Sequence, residues 1–367
     1  MNRRAVAALI VTAAAASSAL VPGLVPTDPL LGSPLSLGPV ALGGTAAGAA
    51  PAKVPVAPSA GCRAATPAAP GEATVPLTAD GRTGSFVQQL PAGYDGRHPM
   101  PVVFDFHGYA EPASLQVTLS GLGTYGEHHG FITVTPAVTE PVPLWEATVG
   151  SQDMAFVGGV FDAVDRTLCV DRNRQYATGY SNGAFLSSAI ACQYAGRVAA
   201  VAPVAGIQDI AGCKPSRPVP VVAFHGTADP YVHFDGSPSK AAAALPAPTG
   251  HGGSLGQSDR EALRKGPSIL QDTAAWARRN GCRPKPARVK VASDVTLVRY
   301  RCPQPAQVEL YVVKGGGHAW PGSQVSASLQ AAVGRTTFSI DADAIMWRFF
   351  AAHPLRKAGH SPARATG

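Results

Sequence analysis

Three short motifs, each placed directly after an apolar run, constrain this chain more than any other feature. In chain order they are Gly179-Tyr180-Ser181-Asn182-Gly183, His225-Gly226-Thr227-Ala228-Asp229-Pro230 and Gly315-Gly316-Gly317-His318-Ala319-Trp320-Pro321. The first motif has a serine at its centre, and the other two contain a carboxylate and an imidazole. Serine, then aspartate, then histidine is one of the chain orders in which hydrolytic triads occur. The sequence therefore predicts that Ser181, Asp229 and His318 form a catalytic triad.

The serine motif fits a tight turn between a strand, predicted over residues 175–178, and a helix over residues 184–191. In such an elbow the serine takes a strained backbone conformation, and the turn leaves no room for a Cβ at Gly179 or Gly183. Ser254 stands in a second Gly-x-Ser-x-Gly string, but no strand precedes it and no long helix directly follows. The pattern favours Ser181 as the nucleophile.

A serine hydroxyl is a weak nucleophile at its ordinary pKa, so the site needs a general base. His318 follows an apolar run and three glycines, which predicts a loop that can bring the imidazole to the hydroxyl. Asp229 lies in a turn stiffened by Pro230, where a carboxylate can orient the ring and stabilise its charged form. Asp235 is the alternative carboxylate for this role.

The backbone N–H groups of Tyr109 and Asn182 are the candidates for an oxyanion hole. Asn182 follows the nucleophile, and Tyr109 follows His107-Gly108 at the end of an early strand, where hydrolases with this type of elbow supply the second donor. For the His107 and His225 side chains we expect hydrogen bonding within the core. Trp145, Tyr231 and Trp320 are candidates for a substrate pocket, with packing in the core as the alternative.

The sequence predicts an α/β fold, specifically an α/β-hydrolase fold with a mostly parallel central sheet and helices on both faces. One domain is expected over residues 62–355, with a surface insertion at residues 236–266, where Pro, Ala, Gly and Ser break the pattern. Strands are predicted at residues 86–90, 101–107, 131–135, 175–178, 198–204, 219–224 and 308–313. Helices are predicted at residues 152–168, 182–194, 268–280 and 340–353, with Ser339 as the N-cap of the last.

The string Gly121-Leu122-Gly123-Thr124-Tyr125-Gly126 matches a dinucleotide-binding fingerprint. Gly130 is expected to end the segment before a helix of useful length can form, so we predict no nucleotide cofactor, and indeed no cofactor of any kind.

The N-terminal residues predict export. A basic start, an apolar run over residues 5–16 and a small-residue cleavage candidate at residues 16–19 indicate a signal peptide over residues 1–19, with an uncertain cleavage site. Prolines at positions 22, 26 and 29 interrupt the segment too early for a membrane helix. Residues 20–61 are predicted as an Ala/Pro/Gly-rich leader or linker, and residues 356–367 as a flexible tail. Cys62 stands in a weak lipobox-like sequence, so a lipid anchor is the rival interpretation.

The chain contains six cysteines, and an even number in an exported chain favours three disulfides. Local layout favours Cys192–Cys213 and Cys282–Cys302, which leaves Cys62–Cys169. Buried free cysteines are the alternative. No pair has the two-to-four-residue spacing of a zinc site, and we predict no metal.

The formal charge of +7 does not indicate a nucleic-acid partner. Charged residues make up 14% of the chain and no run of five or more basic residues occurs. Part of the excess lies in the leader and in the tail. A mildly basic secreted enzyme, without nucleic acid and without stable membrane association, is the simpler interpretation.

Five ordered motifs together resemble the secreted esterase family of polyhydroxybutyrate depolymerases and feruloyl esterases. They are the serine motif, residues 199–206, the aspartate motif, Asn280-Gly281-Cys282 and residues 316–322. The resemblance covers roughly residues 62–353 and implies an α/β-hydrolase fold, a triad at Ser181, Asp229 and His318, no metal, and hydrolysis of carboxylic esters. It implies as substrate either a feruloylated polysaccharide fragment or a hydroxyalkanoate oligomer, and the missing polymer-binding domain favours the first. An acyltransferase and a non-catalytic binding protein are the remaining alternatives.

Overall fold

The structure is a computed structural model that describes residues 54–258 and 265–356. The predicted signal peptide, residues 20–53 of the predicted leader and residues 357–367 of the predicted tail lie outside the described residues.

The described part of the chain forms one sheet of ten strands. They are β1 Gly71–Ala79, β2 Arg82–Leu90, β3 Met100–Phe106, β4 Ile132–Val138, β5 Val170–Tyr180, β6 Ala200–Val204, β7 Val221–Gly226, β8 Ala287–Ala292, β9 Val295–Arg299 and β10 Val308–Val313. Their spatial order is β1-β2-β4-β3-β5-β6-β7-β10-β9-β8. The strands from β4 to β10 in this order pair in parallel. The two strands at each edge pair antiparallel. The sheet is mixed, and the expectation of a mostly parallel sheet is not confirmed.

Helices lie between β3 and β4, between β4 and β5 and between β5 and β6, and others follow β7 and β10. Their bounds are α1 Ala113–Ser120, α2 Leu122–His129, α3 Gln152–Thr167, α4 Asn182–Gln193, α5 Lys240–Ala243, α6 Leu255–Ser258, α7 Ile269–Arg279, α8 Gln324–Ser328, α9 Gln330–Val333 and α10 Ala342–Ala352, with a 3₁₀ turn at Ala60–Arg63. Helix α7 begins with a complete capping box between Ser268 and Gln271. Helix α10 starts later than predicted and is capped by Asp341, which accepts a hydrogen bond from Ala344 N–H at 3.0 Å. Ser339 is therefore not the N-cap.

Two apolar clusters lie on opposite faces of the sheet. Successive strand residues point to opposite faces, and on β3 Val102 and Phe104 belong to one cluster while Val103 belongs to the other. Helices α3, α4 and α7 contribute to the first cluster, and α1, α2 and α10 contribute to the second. Coverage on both faces explains why β3, β6 and β7 have almost continuous apolar sequences. The architecture is an α/β-hydrolase-like fold.

Helix α2 is a short helix in the segment where no helix of useful length was expected before Gly130. It spans eight residues between Gly121 and Gly130, which have φ values of 69° and 72°. These left-handed conformations are inexpensive for glycine, so one glycine ends α1 as the next helix starts and the other ends α2.

The structure contains the three disulfides favoured by the sequence, Cys62–Cys169, Cys192–Cys213 and Cys282–Cys302. Contacts with the domain begin before Cys62. Ser59 donates its hydroxyl to Leu168 O at 2.6 Å and accepts from Val170 N–H at 3.0 Å. The last residues of the predicted leader thus pack against the start of β5.

Candidate active site

The nucleophile motif forms a strand–turn–helix elbow. β5 ends at Tyr180, α4 begins at Asn182, and Ser181 between them has φ 55° and ψ −114°. A Cβ on Gly183 would lie 2.1 Å from Phe106 O, and one on Gly179 would lie 2.5 Å from Gly183 O. Only glycine permits this close approach of α4 to β3 and β5, as the sequence predicts. The strained φ lifts the serine out of both regular elements.

Asp229 and His318 are joined by a hydrogen bond of 2.7 Å between Oδ2 and Nδ1. The residues lie in the loops after β7 and β10, which are neighbouring parallel strands. The other oxygen, Asp229 Oδ1, accepts from Tyr231 N–H and Val232 N–H at 2.8 Å each. Burial raises the pKa of Asp229, but the charge and hydrogen bond of His318, with His225 and Val232, hold it below its usual value. Asp229 is therefore an anionic acceptor that orients the His318 ring.

His225 is a second imidazole beside Asp229. Its Nε2 lies 3.4 Å from Asp229 Oδ2 and 2.9 Å from Val232 O. Because a carbonyl oxygen can only accept, Nε2 carries the proton. Burial lowers the pKa of His225, so the ring is neutral. This geometry agrees with the expected role in core hydrogen bonding.

Tyr180 holds the backbone of the histidine loop. Its hydroxyl donates to His318 O, and His318 N–H donates to Val333 O at 2.6 Å. Tyr180 is buried, and this desolvation raises its pKa well above the usual value, so the phenol stays protonated as a donor. The residue before the nucleophile therefore fixes the loop that carries the imidazole. Sequence reasoning could not predict this contact, because Tyr180 and His318 are 138 positions apart in the chain.

Two backbone N–H groups are available near the elbow. Within the described residues, neither Tyr109 N–H nor Asn182 N–H has a protein acceptor. The next residue, Ala110, has φ 58° and donates to Pro143 O at 2.6 Å, which fixes the turn that carries Tyr109. The Tyr109 hydroxyl donates to Pro246 O at 2.7 Å and so connects this loop to the insertion. Free donors of this kind can bind a ligand oxygen.

His107, two residues before Tyr109, lies in the core. Its Nδ1 contacts Gly108 O at 2.8 Å, and burial lowers the pKa of the ring to about 4. The imidazole is neutral and cannot serve as a cationic donor at the site. This agrees with the structural role expected for it.

Glu111 is a site residue that sequence reasoning missed. Its Oε2 accepts from Gly108 N–H at 3.0 Å, and its carboxyl interacts electrostatically with His318. Burial raises the pKa of Glu111 to about 7. The only available signal was an acidic residue two positions after Tyr109, in a turn otherwise made of small and apolar residues.

The three aromatic pocket candidates differ in position. Trp145 and Trp320 are 2% and 1% exposed, and their indole N–H groups donate to His107 O and Asp343 Oδ1. Tyr231 is partly exposed, and its ring centroid lies 5.1 Å from that of His318. Of the three, Tyr231 therefore has the best position to contact a ligand.

Two other expectations concern acidic and metal-binding groups. Asp235, the alternative orienting carboxylate, accepts hydrogen bonds from Ser237.

Among residues 54–258 and 265–356, no group of three or more His, Cys, Asp or Glu side chains has an arrangement that could hold a metal ion. In the same ranges no helix is long and apolar enough to cross a membrane.

The sequence is similar to several esterases. It is 27% identical over 244 residues to feruloyl esterase B of Piromyces equi, a match that covers 64% of this chain and 42% of that one. It is 26% identical over 283 residues to feruloyl esterase D of Neurospora crassa, covering 74% and 85%. A third relative, feruloyl esterase C of Emericella nidulans, is 29% identical over 155 residues, covering 41% and 57%. The chain thus spans less than two thirds of the first and third of these relatives.

No protein-family model matches the chain. Among solved structures, acetyl xylan esterase from Aspergillus awamori aligns over 76% of this chain and 99% of its own length, with 12% identity and a TM-score of 0.48. The named sequence relatives support a carboxylic ester hydrolase.

Proposed function

We propose that this chain is a secreted serine esterase that cleaves carboxylic esters through an acyl-enzyme, with feruloyl esters of plant polysaccharide fragments as its substrates. The observation that carries the proposal is the 2.7 Å hydrogen bond between Asp229 and His318, beside an elbow that holds Ser181 at φ 55°. The names of the relatives support the ester class and favour a feruloyl acyl group.

In the proposed reaction Ser181 Oγ attacks the ester carbonyl carbon while His318 Nε2 accepts the serine proton. The Asp229 carboxylate stabilises the resulting imidazolium through Nδ1. The carbonyl oxygen becomes an oxyanion, which the Tyr109 and Asn182 N–H groups bind. His318 then gives the proton to the departing alcohol, and the acyl group remains on Ser181.

Water completes the cycle by the same route. His318 takes a proton from the water, the hydroxide equivalent attacks the acyl carbonyl, and the proton returns to Ser181 as the carboxylic acid leaves. The proposed steps use the side chains of Ser181, Asp229 and His318 and the backbone N–H groups of Tyr109 and Asn182, together with water.

Secretion is part of the proposal. The three disulfides support an oxidising compartment, since such bonds are uncommon in reducing cytosol. The signal-peptide pattern at residues 1–19 supports the same location.

The test is the initial hydrolysis rate of the purified protein on methyl ferulate, p-nitrophenyl butyrate and a 3-hydroxybutyrate oligomer. We expect hydrolysis with the highest kcat/KM on methyl ferulate, and a loss of about 10⁴-fold or more in Ser181→Ala. Ser254→Ala is the matched control, because Ser254 stands in the other Gly-x-Ser-x-Gly string but not at an elbow.

Each outcome has a distinct meaning. Preference for the hydroxybutyrate oligomer would replace the feruloyl assignment with a depolymerase-type activity and leave the serine mechanism intact. Full activity in a folded Ser181→Ala protein would overturn the mechanism. Esters formed on an added sugar alcohol, in place of free acid, would identify an acyltransferase.

A further inference from the structure

Glu111 contacts the backbone of the loop that carries the proposed oxyanion donor Tyr109. The loop connects β3 to α1, and Glu111 Oε2 accepts from Gly108 N–H at 3.0 Å. A Cβ on Gly108 would lie 2.6 Å from this oxygen and 3.2 Å from Cδ1 of Tyr180. The carboxyl group therefore packs directly on the Gly108 backbone, in a space that a larger residue would fill.

The same carboxyl group faces the proposed triad. The titratable groups that interact with it are Tyr180 at the end of β5, Tyr231 after β7 and His318 after β10. Its negative charge contributes to the raised pKa values of Tyr180 and Tyr231, while His318 favours the ionised form of Glu111. Within the described residues Glu111 has no lysine or arginine partner.

We propose that Glu111 is a positioning residue with two effects, provided that the proposed esterase mechanism holds. Its carboxylate fixes the Gly108–Tyr109 turn by accepting the Gly108 N–H, and its charge stabilises the His318 imidazolium that forms as Ser181 loses its proton. The proposed site then has two carboxylates with different roles. Asp229 makes a hydrogen bond to the imidazole, whereas Glu111 acts on it electrostatically and holds the oxyanion loop.

This arrangement makes activity depend on two coupled protons. The fully active state has a neutral His318, which can accept the serine proton, and an ionised Glu111. Protonation of His318 stops turnover, whereas protonation of Glu111 removes the same charge as Glu111→Gln and should lower kcat/KM by about tenfold. The acid end of the wild-type profile should therefore fall more steeply than with a slope of one. Burial raises the pKa of Glu111 to about 7, so its protonation falls within the pH range in which esterases are assayed.

The decisive variant is Glu111→Gln, whose amide oxygen can still accept from Gly108 N–H but carries no charge. We expect kcat/KM above pH 8 to fall about tenfold, because a nearby negative charge is lost from the transition state. We expect the acid limb to move to lower pH with a slope of one. Glu111→Asp keeps the charge with a shorter reach, so it should retain a fall that is steeper than a slope of one.

Glu127→Gln is the matched control. Glu127 also accepts a backbone N–H, that of Ala92 at 2.9 Å, but it lies on the exposed part of α2. This variant should leave both the rate and the profile unchanged. Thermal melting of all three variants checks that they are folded.

A second readout does not need turnover. The ring resonances of His318, identified by their absence in His318→Gln, should titrate with a lower midpoint in Glu111→Gln than in wild type. Ser181-dependent activity with an unchanged slope and an unchanged midpoint would overturn the role of Glu111. A lowered midpoint in a protein without esterase activity would support the Glu111–His318 coupling and overturn the proposed function.

Discussion

The side chain of Asn182 makes two hydrogen bonds with the backbone of Trp145. Its Oδ1 accepts from Trp145 N–H at 2.6 Å, and its Nδ2 donates to Trp145 O at 2.9 Å. The same loop, between β4 and α3, accepts Ala110 N–H at Pro143 O. The two candidate oxyanion donors, Asn182 and Tyr109, are thus connected through one loop. A displacement of that loop should therefore move both N–H donors.

Asn182→Ala should weaken both stability and turnover. Removing the amide leaves two backbone groups of Trp145 without partners, which should lower the free energy of unfolding by about 2 kcal/mol. The loosened loop should reduce kcat/KM by about tenfold, through misplacement of the N–H donors. Urea unfolding and initial rates give the two numbers. Asn280→Ala is the control, because Asn280 is buried and donates to Val219 O and Ala306 O away from the site; it should lose stability and keep kcat/KM.

Asp229→Asn tests the orienting role of the carboxylate. The amide can preserve the contacts with Tyr231 N–H and Val232 N–H, but it cannot stabilise an imidazolium as an anion does. We expect kcat to fall by about 10³–10⁴-fold with little change in KM. Asp235→Asn should remain within about twofold of wild type, because Asp235 bonds only to Ser237 among its described contacts. A larger loss in Asp235→Asn than in Asp229→Asn would reverse the assignment.

The disulfides should differ in their effect on stability. Cys62 and Cys169 are separated by 107 positions, whereas Cys282 and Cys302 are separated by 20. Loop-closure entropy predicts a loss of about 4–5 kcal/mol on replacing the first pair with serines and about 3 kcal/mol for the second. Urea unfolding of the two double variants provides the comparison. A greater loss from the shorter loop would show that chain entropy in the unfolded state does not control the order.

The sequence predicts the centre of this fold better than its edges. The central strands β3, β6 and β7 are buried on both faces, so their apolar runs are almost continuous. By contrast, β1 and β8 are mostly exposed along their length. Such strands have no apolar signature, because their conformation is set by hydrogen bonding to β2 and β9. The antiparallel edges therefore could not be inferred from composition.

The candidate site divides in the same way. The triad motifs could be found because glycine and strand context constrain Ser181 and His318 locally. Glu111 and the Tyr180 hydroxyl have their effect through contacts with residues far apart in the chain, and no periodic pattern encodes such contacts. Trp320 is an opposite case, because it is close to His318 in sequence and was a candidate for the substrate pocket. Its indole instead packs in the core and donates to Asp343.

Asp105 should make stability fall as pH rises. It is buried on β3 and accepts from Gln116 Nε2 and the Ser120 hydroxyl, and desolvation raises its pKa to about 7. Because folding favours the protonated form, this contribution is complete below the unfolded pKa near 3.8 and is lost as pH rises through about 7. Asp105→Asn should therefore be more stable than wild type at pH 8 by about 2–4 kcal/mol, with a smaller gain of about 1–2 kcal/mol at pH 5.

Urea unfolding at the two pH values measures this difference. Asp162→Asn is the control, since that carboxylate is 60% exposed and should show no such pH-dependent gain. A gain for Asp105→Asn that is equal at pH 5 and pH 8 would contradict the titration argument.

Tyr109→Phe separates the backbone of Tyr109 from its side chain. The variant keeps the Tyr109 N–H but loses the 2.7 Å hydrogen bond from the phenol to Pro246 O, which holds the insertion against the oxyanion loop. If the insertion contacts the bulky part of the substrate, KM for methyl ferulate should rise about three- to tenfold while kcat for p-nitrophenyl acetate stays near wild type. Tyr194→Phe is the control, because it loses a similar bond to Met154 O and Tyr194 lies at the C-terminal end of α4, whereas the elbow is at its N-terminal end. Equal losses in kcat on both esters would instead mean that the phenol positions the N–H donor itself, and the insertion would then act on the oxyanion and not on the acyl group.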